Sequence, residues 1–411
     1  MKRFKYIILG GGIVAGYAVQ EFAKVNGFNS DDIAIITADN TLPYERPSLS
    51  KDFLTGDEQS SDLHINKLDF YHKHGIKVYL YTTVEDIDPV NRILKTDHGD
   101  SFVFEKLLIA TGSHPRRLDV PGHDLPNIYY LRTLSDAKEI RRQFHLVERI
   151  TIIGGGYIGM EAAAAAATEG AQVTVVFPEE RLMSRFFTED LSSFFEKYYE
   201  ARGVTFIRHN KVVGFQTSKK GVRVQLEVGN DIEADAVIVG IGAEPNVDLA
   251  RPIQLDVDDG IIVNEHLMTT IDGIYAAGDV ANFFDRIFEK RRRVEHWQNA
   301  VDQARYVARH MLGQEKESFS TLRYFFSDIF DLSYEFWGET EDATQAVHIG
   351  SFTEDPSFGV WWLRDNRLIG SLLLNRPDDE RQNAQKWIME PTSFDMRMLD
   401  QLAQRTADQS T

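Results

Sequence analysis

Gly10-Gly11-Gly12-Ile13-Val14-Ala15-Gly16 and Gly154-Gly155-Gly156-Tyr157-Ile158-Gly159 decide the fold of this chain. Each follows a short apolar run and opens a helical segment. From Phe4 to Asp39 the order reads strand, glycine turn, helix (Val14 to Val25), strand (Ile33 to Ile36), acid. From Ile150 to Glu179 it repeats, with the second strand at Val173 to Phe177. The first glycine of such a turn, Gly10 or Gly154, permits the tight bend. The third, Gly12 or Gly156, lets backbone approach a pyrophosphate, and a small residue such as Ala15 lets helix pack on strand. The phosphates then face the positive end of a helix. One such turn is weak evidence. Two, each after a strand and each followed by an acid at the end of the next strand, predict two dinucleotide sites.

Asp39 and Glu179 are placed to accept from a ribose diol. A carboxylate there repels a 2′-phosphate, which favours NADH at the second site; Arg181 and Arg185 nearby keep NADPH possible.

Working outward, Lys106 to Ala110 reads as a buried strand ending at Thr111-Gly112. Ala236 to Val239 reads likewise and ends at Gly240-Ile241-Gly242. Gly273 to Ala277 ends at Gly278-Asp279, and a helix is expected from Asn299 to Met311. Beyond Tyr324 the chain turns aromatic and strand-like, with a hairpin turn at Asp365-Asn366 and a polar, frayed tail from about Gln404. The fold class is therefore α/β: two Rossmann-type three-layer dinucleotide-binding domains, the second inserted in the first, plus a small α+β C-terminal domain. The expected division is 1–114 with 243–320, then 115–242, then 321–411.

Composition narrows the chemistry. The 411 residues include no cysteine, which excludes thiolate metal sites and any protein disulfide in a redox cycle. The histidines show no metal-ligand spacing, so no metal is expected. A net charge of −18 disfavours nucleic acid and anionic membranes. No apolar run is long enough to span a bilayer, the first residues lack a secretory pattern, and a cytoplasmic protein is expected. Arg291, Arg292 and Arg293, with Arg286 and Lys290, form a local basic stretch. The plain reading is a solvated loop; the functional one is steering of an anionic partner.

The paired turns, Ala110-Thr111-Gly112 and Gly278-Asp279 together resemble the FAD-dependent pyridine nucleotide oxidoreductases. Pro43-Tyr44-Glu45-Arg46-Pro47-Ser48-Leu49-Ser50-Lys51 is similar to the flavin-site segment of monodehydroascorbate reductases and of the ferredoxin reductase and apoptosis-inducing factor group. Val176-Phe177-Pro178-Glu179, Arg292 to His296 and Phe330-Asp331-Leu332-Ser333 resemble monodehydroascorbate reductases. The resemblance implies FAD contacts from Gly10, Gly12, Val14, Ala15, Asp39, Arg46, Lys51, Val84, Ala110, Thr111, Gly112, Arg132, Gly278, Asp279, Glu295, His296 and Trp297. It implies nicotinamide-cofactor contacts from Gly154, Gly156, Tyr157, Ile158, Glu161, Glu179, Arg185 and Gly242. It also implies that Lys51, ion-paired with Glu161, stabilises the charge of reduced flavin, and that Tyr157 covers the flavin until nicotinamide arrives.

On the acceptor side the resemblance divides. The arginine and tyrosine that monodehydroascorbate reductases use for their substrate fall at Val301 and Phe326, whereas Glu295-His296-Trp297 and Phe326-Ser327-Asp328 are similar to ferredoxin reductases. Three functions follow: an NADH-dependent reductase of a small one-electron acceptor, a reductase of a ferredoxin-type protein, or a redox-sensing interaction protein. A monomer or homodimer is expected.

Overall fold

The computed structural model describes residues 1–25, 32–219, 221–353 and 355–409. The chain divides into two compact units. One comprises 1–47, 59–114 and 243–321; the other comprises 48–58, 115–242 and 322–411. Ser48–Glu58 is flanked on both sides by chain of the first unit, yet it packs with the second.

In the first unit a seven-stranded sheet runs in the order Lys77–Tyr79, Ile33–Ile36, Lys2–Leu9, Ser101–Ile109, Ile93–Thr96, Val84–Asp88, with Ile274–Ala276 also paired to Ser101–Ile109. Ile33–Ile36 is buried at every residue, as expected of a parallel strand covered on both faces. Leu9 lies opposite both Ile36 and Ile109, and Ile109 lies opposite Ala276, all in parallel register. These four strands therefore end along one carboxyl edge. The helices Ile13–Ala23 and Trp297–Met311 pack against each other. A second, four-stranded sheet holds Val257–Asp258, Gly260–Ile262, Ala281–Asp285 and Lys290–Arg293.

The second unit repeats the plan. Its parallel sheet runs Thr205–Ile207, Gln172–Val176, Arg149–Ile153, Ala236–Val239, Ile128–Tyr130. The helix Tyr157–Thr168 lies on it, its alanines 162–166 buried; side chains this small permit close approach. The C-terminal sheet is antiparallel, in the order Tyr324–Ile329, Leu332–Gly338, Arg367–Leu374, Ser357–Arg364, Gln345–Ser351. Its turn at Asp365-Asn366 has both residues at positive φ, 50° and 62°, which suits a two-residue hairpin. Tyr324–Ile329 alternates strictly, with Phe325, Ser327 and Ile329 in the buried half. The tail is helical rather than frayed at the backbone level, with Met396–Gln409 forming the last helix. No helix among the described residues is long and apolar enough to cross a membrane.

Candidate functional site

The first glycine turn closes the carboxyl edge of the larger sheet, so Gly10–Gly12, Asp39, Ala110–Gly112 and Gly278–Asp279 come to one rim. Gly10 has φ +123°, and a Cβ there would lie 2.2 Å from the Ala110 carbonyl oxygen. The protein's own backbone thus demands glycine. Gly12 caps the helix Ile13–Ala23 with no side-chain cap, and no acid occupies the first turn. The positive helix end is left for an outside anion. Val14 and Ala15 are buried on that helix. A Cβ on Gly278 would meet Val14 Cγ2 at 2.7 Å, which explains the close approach of the last rim loop.

Charge is concentrated beside Gly12. A Cβ added there would stand 3.5 Å from Arg46 Nε, and Arg46 lies 4.0 Å from Asp39 Oδ2 and over the Tyr44 ring. Tyr44 donates to Asp39 at 3.2 Å. Thr111 and Asn246 exchange two hydrogen bonds, Ser113 donates to Asp279 at 2.8 Å, and Val84 is buried where its strand begins. His296 caps the helix that starts at Trp297, and Glu295 is ion-paired with Arg293. The Trp297 indole donates to Glu45 at 2.5 Å, and the Tyr17 hydroxyl donates to the same carboxylate at 2.6 Å. Burial and this carboxylate push the Tyr17 phenol well above its ordinary value. Glu45 lies inside the flavin-like segment, but its two aromatic partners are far from it in sequence and leave no local signal.

The second turn is built alike and left more open. Gly154, at φ +110°, would set a Cβ 2.3 Å from the Gly240 carbonyl oxygen, and Gly159 would set one 2.2 Å from that of Gly154. Around a Cβ on Gly156 or Gly242 there is nothing within 4 Å. Gly156, too, caps its helix without a side-chain bond. Ile158 is 43% exposed, Glu179 is partly buried and Arg185 is exposed. Arg181 is committed inward, donating to the Phe187 carbonyl and to Ser192. Arg132 belongs to this unit, where its backbone N–H donates to Asp136. Both cradles therefore fit a dinucleotide pyrophosphate: uncapped helix ends, glycine backbone, and room where a side chain would stand.

Within the second unit Lys51 meets Glu161. The ammonium is 3.0 Å from Glu161 Oε1, and each side chain is only 7% exposed. Lys51 is also 3.4 Å from Asp328 and lies over the Phe326 ring at 4.8 Å. Ser50 donates to Glu161 Oε2 at 2.5 Å, and Ser327 donates to Oε1 at 2.6 Å. Neither serine nor Asp328 was assigned a role from sequence, although all three lie in stretches singled out there. Tyr157 packs against Phe186 and Phe325. Its hydroxyl is buried without a hydrogen-bond partner among the described residues, a cost of about 1–3 kcal/mol, and burial raises its phenol.

One expectation about the acceptor side changes. The arginine stretch is a strand rather than a loop, and part of its charge is paired. Lys290–Arg293 is a strand, Arg291 donates to the Val263 and Asn282 carbonyls, Arg292 pairs with Asp285, and Arg293 pairs with Asp259 and Glu295. Val301 is core, 1% exposed, so nothing at that position reaches a substrate. No group of three potential metal ligands occurs among the described residues.

Comparisons with known proteins agree with this architecture. Residues 4–304 match the family described as "Pyridine nucleotide-disulphide oxidoreductase", and residues 322–406 match "Monodehydroascorbate reductase 3-like, C-terminal domain". The chain is 36% identical to monodehydroascorbate reductase 4, peroxisomal, of Arabidopsis thaliana, over 94% of this chain and 82% of that one. It is 35% identical to the seedling isozyme of monodehydroascorbate reductase from Cucumis sativus, over 92% of both. Among solved structures it is similar to the reductase in a covalent putidaredoxin reductase–putidaredoxin complex, with TM-score 0.88, 31% identity, and 94% and 93% coverage of the two chains. With both glycine cradles inside the matched region, the chain belongs to the pyridine nucleotide-disulphide oxidoreductase family, in a form that has no cysteine.

Proposed function

We propose that this protein is an FAD-dependent NADH oxidoreductase that passes electrons to a small one-electron acceptor in the manner of monodehydroascorbate reductases. The observation that carries the reading is the buried Lys51–Glu161 pair on the unit that also bears the open second cradle. Bound flavin supplies the redox chemistry, taking an electron pair from reduced nicotinamide and releasing electrons singly.

The chain's residues bind and orient. The uncapped helix end at Gly12, with the Arg46 guanidinium beside it, is suited to the FAD pyrophosphate. The end at Gly156 is suited to that of NADH. Glu179 favours a ribose diol, and with Arg181 bonded inward Arg185 is left as the cation nearest in sequence that could admit a 2′-phosphate. Lys51 holds positive charge at the flavin, and Glu161 fixes the direction of that ammonium. Tyr157, whose hydroxyl has no hydrogen-bond partner among the described residues and whose ring lies against Phe186 and Phe325, is suited to swing aside for the nicotinamide. Without cysteine, the chain offers no protein thiol as a relay between a bound flavin and its acceptor.

The pairing of Arg292 with Asp285 and of Arg293 with Asp259 and Glu295 favours a small acceptor over an acidic protein, since it offsets part of the local cationic guide that a chain of net charge −18 would need. A ferredoxin-type acceptor is the second reading. It is favoured by Val301, which is core where monodehydroascorbate reductases carry a substrate arginine. A cytoplasmic setting and a monomer or homodimer complete the proposal. Cell fractionation and light scattering address them.

Anaerobic reduction by NADH, followed by a screen of acceptors for rapid flavin reoxidation, tests the whole. Lys51→Ala should retain FAD and slow its reduction by NADH about ten- to a hundredfold in stopped flow, the scale of roughly 1.4–2.8 kcal/mol in the barrier. An unaltered rate would remove Lys51 from the reaction.

A further inference from the structure

Lys51 stands between two carboxylates of opposite character. Glu161 is buried, its side chain 7% exposed, at 3.0 Å. Asp328 is 43% exposed, at 3.4 Å. Burial alone penalises the ionised Glu161, because a carboxylate removed from water loses its hydration. Asp328 keeps most of its own. The ammonium is within ion-pair reach of both, so distance alone does not choose between them.

Two hydroxyls fix the carboxylate on one side of that choice. Ser50 and Ser327 are 4% and 2% exposed, and each donates to a different oxygen of Glu161, at 2.5 and 2.6 Å. Hydrogen bonds to an ionised group are short and roughly twice as strong as neutral ones. A carboxylate offers about four lone-pair sites. Ser327 donates to Oε1, beside which the Lys51 ammonium stands at 3.0 Å as an ion pair, and Ser50 donates to Oε2, so among the described residues one site on Oε2 has no donor. The donors come from two elements: Ser50 and Lys51 from the segment that leads into the helix Asp52–Thr55, and Ser327 from the edge strand Tyr324–Ile329. The carboxylate consequently cannot rotate without breaking one of them.

We propose that Ser50 and Ser327 are positioning residues: they lock Glu161 as the partner of Lys51, in preference to Asp328, and leave one oriented lone pair for a donor on the incoming nicotinamide. The part concerning flavin and nicotinamide rests on the function proposed above.

The test uses the FAD-loaded enzyme, with the flavin midpoint potential read by equilibrium with a reference dye and dithionite, so that NADH is not needed. Ser327→Ala should release Lys51 toward Asp328 and make the flavin harder to reduce by about tenfold in the equilibrium, roughly 30 mV for two electrons. It should also raise KM for NADH about threefold to tenfold, the range expected when one contact loses its alignment. Ser327→Thr, which keeps the hydroxyl, should restore the potential. So should Asp328→Asn added to Ser327→Ala, because it removes the competing partner. A general loss of packing would not be relieved that way. Should Ser327→Ala fail to fold, Ser50→Ala carries the same expectations through the other oxygen. A potential unchanged in both alanine variants, or a lowered one that Asp328→Asn leaves low, overturns the proposal. Should the wild type resist reduction by NADH, the function proposed above fails while the dye titration still decides the role of the serines.

Discussion

The two glycine turns share a sequence plan and differ in what surrounds them. At the first, a cation stands over the cradle: Arg46 lies within 3.5 Å of where a Gly12 Cβ would be, held among Tyr44 and Asp39. At the second, the space above Gly156 is open to 4 Å, and one of the two arginines that sequence placed nearby, Arg181, is spent on the Phe187 carbonyl and Ser192. The first arrangement suits a nucleotide that stays. The second suits one that must leave after every turnover, since affinity beyond what turnover needs only slows release. The lesson is that the glycine pattern locates a site, whereas the side chains around it set how long a ligand remains.

Three substitutions sharpen that contrast. Gly10→Ala has the largest expected effect. It forces a Cβ against the Ala110 carbonyl oxygen at a φ of +123°, a strain of roughly 3 kcal/mol or more. Little soluble, yellow protein should be recovered; a normal yield with an unchanged melting temperature would show that the turn tolerates side chains. Arg46→Ala comes next. Loss of a charge-assisted contact worth about 1.5–3 kcal/mol should weaken FAD retention some ten- to a hundredfold, measured by flavin release on dilution, with the fold kept. Gly156→Ala is the mildest. Its backbone, at φ −91° and ψ −176°, suits any residue, and no neighbour is struck. Stability and bound flavin should be unchanged, while KM for NADH rises roughly tenfold, about 1.4 kcal/mol. Equal effects of Arg46→Ala and Gly156→Ala on flavin retention would erase the distinction between a held and an exchanging nucleotide.

Much of the fold was legible because parallel strands covered on both faces read as unbroken apolar runs, and because Gly10 and Gly154 answer to their own backbone. Elements that depend on a partner far away in sequence were not. Nothing near Arg292 and Arg293 announces that Asp285 and Asp259 will pair with them; charge runs look alike whether solvated or paired. Ser50 and Ser327 were in view, yet a serine carries no sign that its hydroxyl will be buried against Glu161 more than a hundred residues from either. Glu45 was hidden for the same reason, with its indole donor at Trp297. Local chemistry predicts turns and strands; long-range pairing decides which polar groups act.

Ser48–Glu58 leaves one compact unit to lodge in the other, and this has a practical consequence for dissecting the molecule. A fragment cut at the evident boundary, beginning near Pro115, would carry Glu161 and Ser327 but neither Lys51 nor Ser50. Its helix Tyr157–Thr168 would then enclose an anion that has lost its countercharge and one of its two hydroxyl donors, a condition that costs several kcal/mol. Cutting along the linear boundary would thus yield a piece destabilised by its own most important acid, and a circular rearrangement that keeps 48–58 attached would be the sounder way to separate the halves.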